Sequence, residues 1–386
     1  MYPKLKLLPG KDKALLRKHP WIFSGAFKEL PTNIEEGTLV QVCSHKEKEL
    51  ALGFFLGGRI AVKVLSYQQF DDAKAIIQSH VLNALNYRKS LGYFNREHTN
   101  IYRLIYGEGD LMPGLVVDRY ANAIVLQPHH AGWDPFLPAI AEQIKNELQI
   151  DTAYVKPPSK HKENLPGYYL FGEAKNTTAI EYNCSYNIDW ETGQKTGFFI
   201  DQRENRDLLG KYSKGKKVLN TFSYSGGFSI SALKQGATFC TSVDISAPAV
   251  ELANENATLN KVAKNHEGVA ADVFEFLKSN GADYDIIVLD PPAFAKNRRA
   301  QHQAVQGYKR LNKLAMQKIK SGGLIFTFSC SQHITPQLFK DTLYSAAIES
   351  GRSIRFVQKL VQPADHPVNL FHPEGEYLKG WVLYVE

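Results

Sequence analysis

The sequence predicts an α/β protein: a mostly parallel, doubly wound sheet in the C-terminal half, preceded by a small β-rich unit and a central α+β unit. Three observations predict it. Residues 218–228, VLNTFSYSGGF, run from β-formers through a turn of small residues into helical spacing that continues to Gln235. Four further apolar runs, each closed by a polar residue, alternate with helical stretches after it. Ahead of them lie short strands separated by charged and glycine turns.

In chain order, residues 1–68 form the β-rich unit, with strands at 39–42, 51–55 and 60–65 divided by a charged turn at 44–49 and by Gly57-Gly58. Its leading segment, 1–28, holds seven basic residues against Asp12, with Trp21, Phe23 and Phe27 interleaved. That mixture suits phosphate contacts with base stacking, and equally a solvated lysine face over buried aromatics. Residues 69–176 form the central unit. Ile76, Ile77, Val81, Ala84 and Leu85 give helical spacing over 71–91 with Asp71 or Asp72 as cap. Strands follow at 101–106, 114–119 and 123–127, then a helix at 134–149 and a proline-rich connection from Lys156 to Lys162 and at Pro166-Gly167. Residues 177–386 form the third unit, entered by a hairpin at 177–190 and by 196–206, which approaches a helix starting at Asp201.

Within this unit the strands at 238–243, 268–271, 286–289 and 324–328 end in Asp244, Asp272, Asp290-Pro291-Pro292 and Ser329-Cys330-Ser331. Helices at 248–259, 273–279, 303–320 and 336–349 separate or follow them. Right-handed crossovers between parallel strands bring all the strand ends to one edge, so Asp244, Asp272, Asp290 and Cys330 should line one crevice.

The turn argues against a phosphate. SYSGGF is neither GxGxxG nor GK[ST], and no Lys or Arg lies between Val218 and Leu233. Asp244 suits ribose hydroxyls and Asp272 an amino hydrogen, which together point to an adenosyl ligand such as S-adenosylmethionine. Each Asp also reads as an ordinary loop residue or helix cap. Candidate cofactor contacts are Phe222, Tyr224, Ser225, Gly226, Asp244, Ile245, Asp272, Val273 and Asp290.

TGFFIDQRENR at 196–206, LNTFSYSGGFS at 219–229, VDIS at 243–246, DVFEFL at 272–277, LDPPAF at 289–294 and FSCSQH at 328–333 resemble the RlmI-like family of large-subunit ribosomal RNA methyltransferases. HPWIFSGAF at 19–27 and GDLMPGLVVDRY at 109–120 extend the resemblance over nearly the whole chain. It implies a PUA domain, a central domain and a class I (Rossmann-like) methyltransferase domain acting on 23S ribosomal RNA. It also implies that Asp201 and Gln202 help bind S-adenosylmethionine.

Chemistry falls to the DPPAF loop and Cys330. Prolines lack N–H donors and stiffen the loop, so Pro291, Pro292 and Phe294 could present acceptors and a ring to a planar base. DPPxF resembles the loop of enzymes that methylate exocyclic amines, and alone it does not identify the atom. A thiolate at Cys330 would add to cytosine C6 and make C5 nucleophilic, with Asp290 bonded to the N3 or N4 edge. Resemblance to the family's SCSxH motif supports Cys330, whereas Cys43, Cys184 and Cys240 read as small hydrophobes inside strands. Between Pro291 and Lys320 stand eight basic residues and no acid, which places Arg298 and Arg299 as RNA contacts. The expected reaction is cytosine C5 methylation. Methylation of a guanine or adenine nitrogen, and a non-catalytic ribosome-assembly factor, are the alternatives.

Net charge is +7 over 386 residues, compatible with a polyanionic partner, and 44% hydrophobic residues suit a globular protein. No signal peptide or membrane-spanning stretch is expected, and four cysteines at unrelated spacings give neither a disulfide framework nor a metal site. The expected compartment is the cytoplasm; besides RNA, a second copy of the chain is the other candidate partner.

Overall fold

The computed structural model describes residues 2–68, 71–157, 166–295 and 297–386, with the backbone alone at 298. The centre of the proline-rich connection, Lys296 and the Arg298 side chain therefore lie outside it. The chain forms two compact units: Met1–Ala179, Ile188–Phe198 and Ala364–Gly375 make one, and Ile180–Asn187, Phe199–Pro363 and Glu376–Glu386 the other.

The first unit holds, among the described residues, two five-stranded sheets. The N-terminal sheet runs Lys4–Lys6, Leu39–Cys43, Glu49–Phe55, Ile60–Ser66, Trp21–Phe23. Its two outer strands lie in the basic leading segment and are only three residues long, too short to signal a strand. Of the interleaved aromatics, Phe27 is core, Trp21 donates from Nε1 to Glu108 at 2.8 Å, and Phe23 is 43% exposed. Lys4 and Lys6 pair with Glu49 and Glu47. Lys4 and Lys6 therefore lie on a solvated face.

The central sheet runs Tyr168–Phe171, Thr152–Val155, Ala123–Pro128, Leu115–Tyr120, Ile101–Tyr106, covered by helices Ala73–Ser90 and Leu137–Leu148. Asp72 caps the first, accepting from Ala75 N at 3.0 Å. The second begins three residues later than expected, because 131–136, with Pro135 inside, forms a 3-10 turn. Buried ion pairs fix the sheet. Arg88 donates to both oxygens of Asp110 (2.5 and 2.8 Å) and Arg103 to both of Asp118 (2.7 and 2.8 Å). The GDLMPGLVVDRY stretch is therefore scaffold.

The second unit is built on a seven-stranded sheet: β1 Lys217–Thr221, β2 Phe239–Asp244, β3 His266–Ala270, β4 Ile286–Leu289, β5 Gly323–Ser329, β6 Ile354–Val361 and β7 Lys379–Val385, in the order β3-β2-β1-β4-β5-β7-β6. The first five are parallel and β7 and β6 antiparallel. These last two strands escape sequence patterning, since β6 is largely exposed and β7 opens on a lysine. Helices α1 Arg203–Tyr212, α2 Gly227–Lys234, α3 Ala247–Leu259, α4 Val273–Asn280, α5 Gln301–Lys318 and α6 Pro336–Ser350 complete it. Along β4, Ile286 and Val288 pack into one apolar cluster and Ile287 and Leu289 into another. A strand covered on both faces has to be apolar throughout, and each such side chain contributes about 1.5–3 kcal/mol.

Candidate active site

Strand polarity puts the carboxyl ends of β1 to β5 on one edge of the sheet, with the expected acids and Cys330 at those ends. After β1 the backbone is forced. Phe222 and Tyr224 hold φ of 53° and 45°, a left-handed region that side chains disfavour, and Gly226 follows at 75°. A Cβ on Gly226 would lie 2.9 Å from the Ala253 Cβ, so only glycine fits there. Ser223 Oγ is buried with no partner among the described residues. Asn256 donates to Ser225 O at 2.9 Å and holds the turn against α3.

Asp244 ends β2 with each oxygen oriented by a backbone donor, Tyr224 N and Ser246 N, both at 3.0 Å. A carboxylate so placed keeps lone pairs for hydroxyl donors. Ile245 beside it is 78% exposed. Asp272 caps α4, its Oδ1 accepting from Phe274 N and Glu275 N, while Val273 is buried in the core. The capping reading of Asp272 is therefore correct, whatever else it binds.

The 196–206 stretch departs from expectation at Asp201. Residues 200–202 form a 3-10 turn and the α-helix starts at Arg203. Tyr377 donates to the Asp201 carboxylate, and Gln202 accepts from Asn205 at 2.7 Å. Arg206 pairs with both oxygens of Glu181 at 2.6 Å and donates to Phe199 O, which makes it an anchor. Phe198 is core, and Phe199 meets Tyr224 edge-on at 5.3 Å.

The DPPAF loop and the end of β5 are joined. The Cys330 thiol points at Pro291 O, 4.0 Å away, and Ser331 Oγ donates to Ala295 O at 3.1 Å. Asp290 and Cys330 are both half-buried, Pro291 is buried and Pro292 exposed. Phe294 packs its ring on Tyr308 of α5 at 4.6 Å. That contact helps to set the loop, and the ring is half-buried. Burial pushes the Tyr308 phenol up, while Ser329 and the Phe294 backbone beside its hydroxyl pull it back down. The other three cysteines are buried in strands, and burial pushes Cys184 up to about 12.

Two residues were missed by the sequence reading. Lys379 is 4% exposed at the start of β7, opposite Ser329, and donates to Ser331 O (2.7 Å) and Tyr377 O (2.6 Å). A lysine inside the run YLKGWVLYV was the available signal for it. Tyr377 had no such signal.

The basic run is mostly spoken for. Lys309 and Lys313 pair with Glu349 of α6, Lys320 with Asp285, and Arg310 lies over the Phe274 ring at 4.4 Å. Acids absent from the run itself come from neighbouring elements. Arg299 is exposed at the start of α5.

A family model of S-adenosylmethionine-dependent methyltransferases matches residues 155–373, and a PUA-like domain model matches 5–67. The chain is 36% identical to ribosomal RNA large subunit methyltransferase I of Klebsiella pneumoniae (strain 342), over 100% of this chain and 99% of that protein. It belongs to this methyltransferase I family. The Escherichia coli (strain SMS-3-5 / SECEC) methyltransferase I is also 36% identical, with all of both chains covered. The solved methyltransferase SMU.776, complexed with SAH, matches with a TM-score of 0.85 at 25% identity, covering 99% of this chain and 100% of that one. The methyltransferase I fold thus extends over the whole chain. S-adenosylmethionine is the cofactor of this methyltransferase, and the strained turn, the orphaned Ser223 hydroxyl and the oriented Asp244 carboxylate fit such a ligand. Among the described residues, no helix is long and apolar enough to cross a membrane.

Proposed function

We propose that this protein methylates 23S ribosomal RNA at C5 of a cytosine, with Cys330 as the nucleophile. The observation that carries the reading is the Cys330 thiol lying 4.0 Å from Pro291 O, on the Asp290-Pro-Pro loop. The ribosomal RNA named for its relatives supports the substrate class.

Bound S-adenosylmethionine supplies a methyl group activated on a sulfonium. Asp244 holds the ribose, with Phe222, Tyr224, Ser225, Gly226, Ile245, Asp272, Val273, Asp201 and Gln202 shaping the rest of that pocket. The target cytosine leaves its stack to reach the edge. The Cys330 thiolate would add to C6, Asp290 would bond the N3 or N4 edge, and C5 would take the methyl group as its bond to the sulfonium sulfur breaks, leaving a neutral thioether. Loss of the C5 proton to a base and elimination of the thiolate restore the ring and the enzyme. Pro291, Pro292 and Phe294 frame the base, while Arg298 and Arg299 contact phosphate. We assign residues 1–68 to an RNA-binding PUA-like domain, 69–176 to a central domain that shapes the RNA path, and 177–386 to catalysis.

Incubation with methyl-labelled cofactor and unmodified ribosomal RNA tests this, followed by nucleoside mass mapping. Label in 5-methylcytidine, and none with Cys330→Ala although that variant still binds cofactor, is the expected result. Label in guanosine or adenosine would overturn the cytosine assignment, and full activity in Cys330→Ala the nucleophile.

A further inference from the structure

A buried lysine faces the nucleophile from a strand that no motif marks. β7 pairs antiparallel with β5 so that Lys379 lies opposite Ser329, the residue before Cys330. Its amine is fixed from two sides, by Ser331 O at 2.7 Å and Tyr377 O at 2.6 Å. An ammonium has three donors. Two are matched by these carbonyls among the described residues, and the third remains for an anion.

Burying a lysine is costly unless its charge is compensated. No carboxylate forms an ion pair with Lys379 among the described residues, yet the side chain is only 4% exposed. Burial brings the amine down to about 8, while the neighbouring Cys330 and Glu376 pull it back up. At pH 7 it is still mostly the ammonium. Tyr308 on α5 and Lys379 at the head of β7 interact electrostatically with Cys330, while Asp290 acts on Tyr308 and Glu376 on Lys379. Burial keeps the Tyr308 phenol neutral. Lys379, tied to both residues that flank Cys330, is the cation beside it.

We infer that Lys379 is a positioning residue that holds Cys330 as a thiolate, ready to attack the substrate base. This rests on the reading of Cys330 as the nucleophile. The thiol proton leaves to solvent, the ammonium keeps its own three protons through the cycle, and the thiolate released at the end returns to the same pairing. Lys379 therefore acts electrostatically and transfers no proton.

The test is the pH dependence of Cys330 alkylation by iodoacetamide in the full-length protein, followed by peptide mass analysis. Buried Cys43, Cys184 and Cys240 serve as slow internal references. In the unaltered protein the inflection should lie at least one pH unit below the ordinary thiol value of about 8.5. Lys379→Met should move it up by one unit or more and slow alkylation at pH 7 by about tenfold, and Lys379→Arg should restore much of the rate. An ordinary inflection in the unaltered protein overturns the proposal without any variant, as does an unchanged profile in folded Lys379→Met. Methyl transfer by Cys330→Ala is a separate measurement. It would remove the nucleophile while leaving the thiol titration as observed, so the two readings fail independently.

Discussion

In the central sheet, Arg88 and Arg103 each give two N–H groups to one carboxylate, and Asp110 and Asp118 are enclosed with them. At the strand-end edge of the second unit, the Ser223 hydroxyl is buried without a partner among the described residues, and Phe222 and Tyr224 hold left-handed backbone. Both regions bury polar groups. The two arginine–aspartate pairs close their hydrogen bonds within the protein and are scaffold; the strand-end edge keeps capacity and strain for something that binds. Burial of charge is thus a poor guide to function until one asks where each hydrogen bond goes.

The contrast can be broken most forcefully in the scaffold. Arg88→Met leaves the Asp110 carboxylate, 6% exposed, without its cation and should cost about 3–5 kcal/mol of stability, read from urea unfolding. A loss below about 1 kcal/mol would place that pair among the dispensable ones.

Glu108 sharpens the contrast through pH. Burial alone would raise its pKa, but Lys63 at 2.7 Å and the Trp21 indole outweigh it and hold the carboxyl at about 2, against 4.5 ordinarily. A depressed folded value gives stability that is full above about pH 4.5 and lost as pH falls towards 2. Glu108→Gln should remove on the order of 3 kcal/mol at neutral pH and flatten the stability profile across that acid window. An acid limb unchanged from the parent protein would contradict the assignment.

At the open edge the smaller effect is specific to binding. Asp244→Asn should weaken cofactor affinity about 10- to 100-fold, equivalent to about 1.5–3 kcal/mol for bonds to a charged group, while leaving unfolding nearly unchanged. Calorimetric titration reads it, and an unaltered affinity would remove the carboxylate from the pocket.

The central parallel strands β4 and β5 were legible because burial on both faces forces continuous apolar runs, and their polar stops marked the edge. Asp244 and Cys330 could be read as strand-end residues for the same reason. β6 and β7 could not, since β6, IRFVQKLV, is largely exposed and β7, KGWVLYV, opens on a buried lysine. Charge was the least legible feature. Lys309, Lys313 and Lys320 look unopposed along the chain, and only the fold brings Glu349 and Asp285 to them. Lys379 was hidden by the same limit in reverse, because its meaning comes from a strand pairing 50 residues away in sequence.

The central claim is a covalent bond from Cys330 to the target base. RNA carrying 5-fluorocytidine at the mapped position, incubated with protein and S-adenosylmethionine, tests it most directly, because fluorine at C5 cannot leave as a cation and the adduct persists. The account predicts a denaturant-resistant protein–RNA complex, methylated at C5 and joined through Cys330 by peptide mass analysis. Methylated RNA released without any such complex, or a complex formed equally by Cys330→Ala, would contradict it.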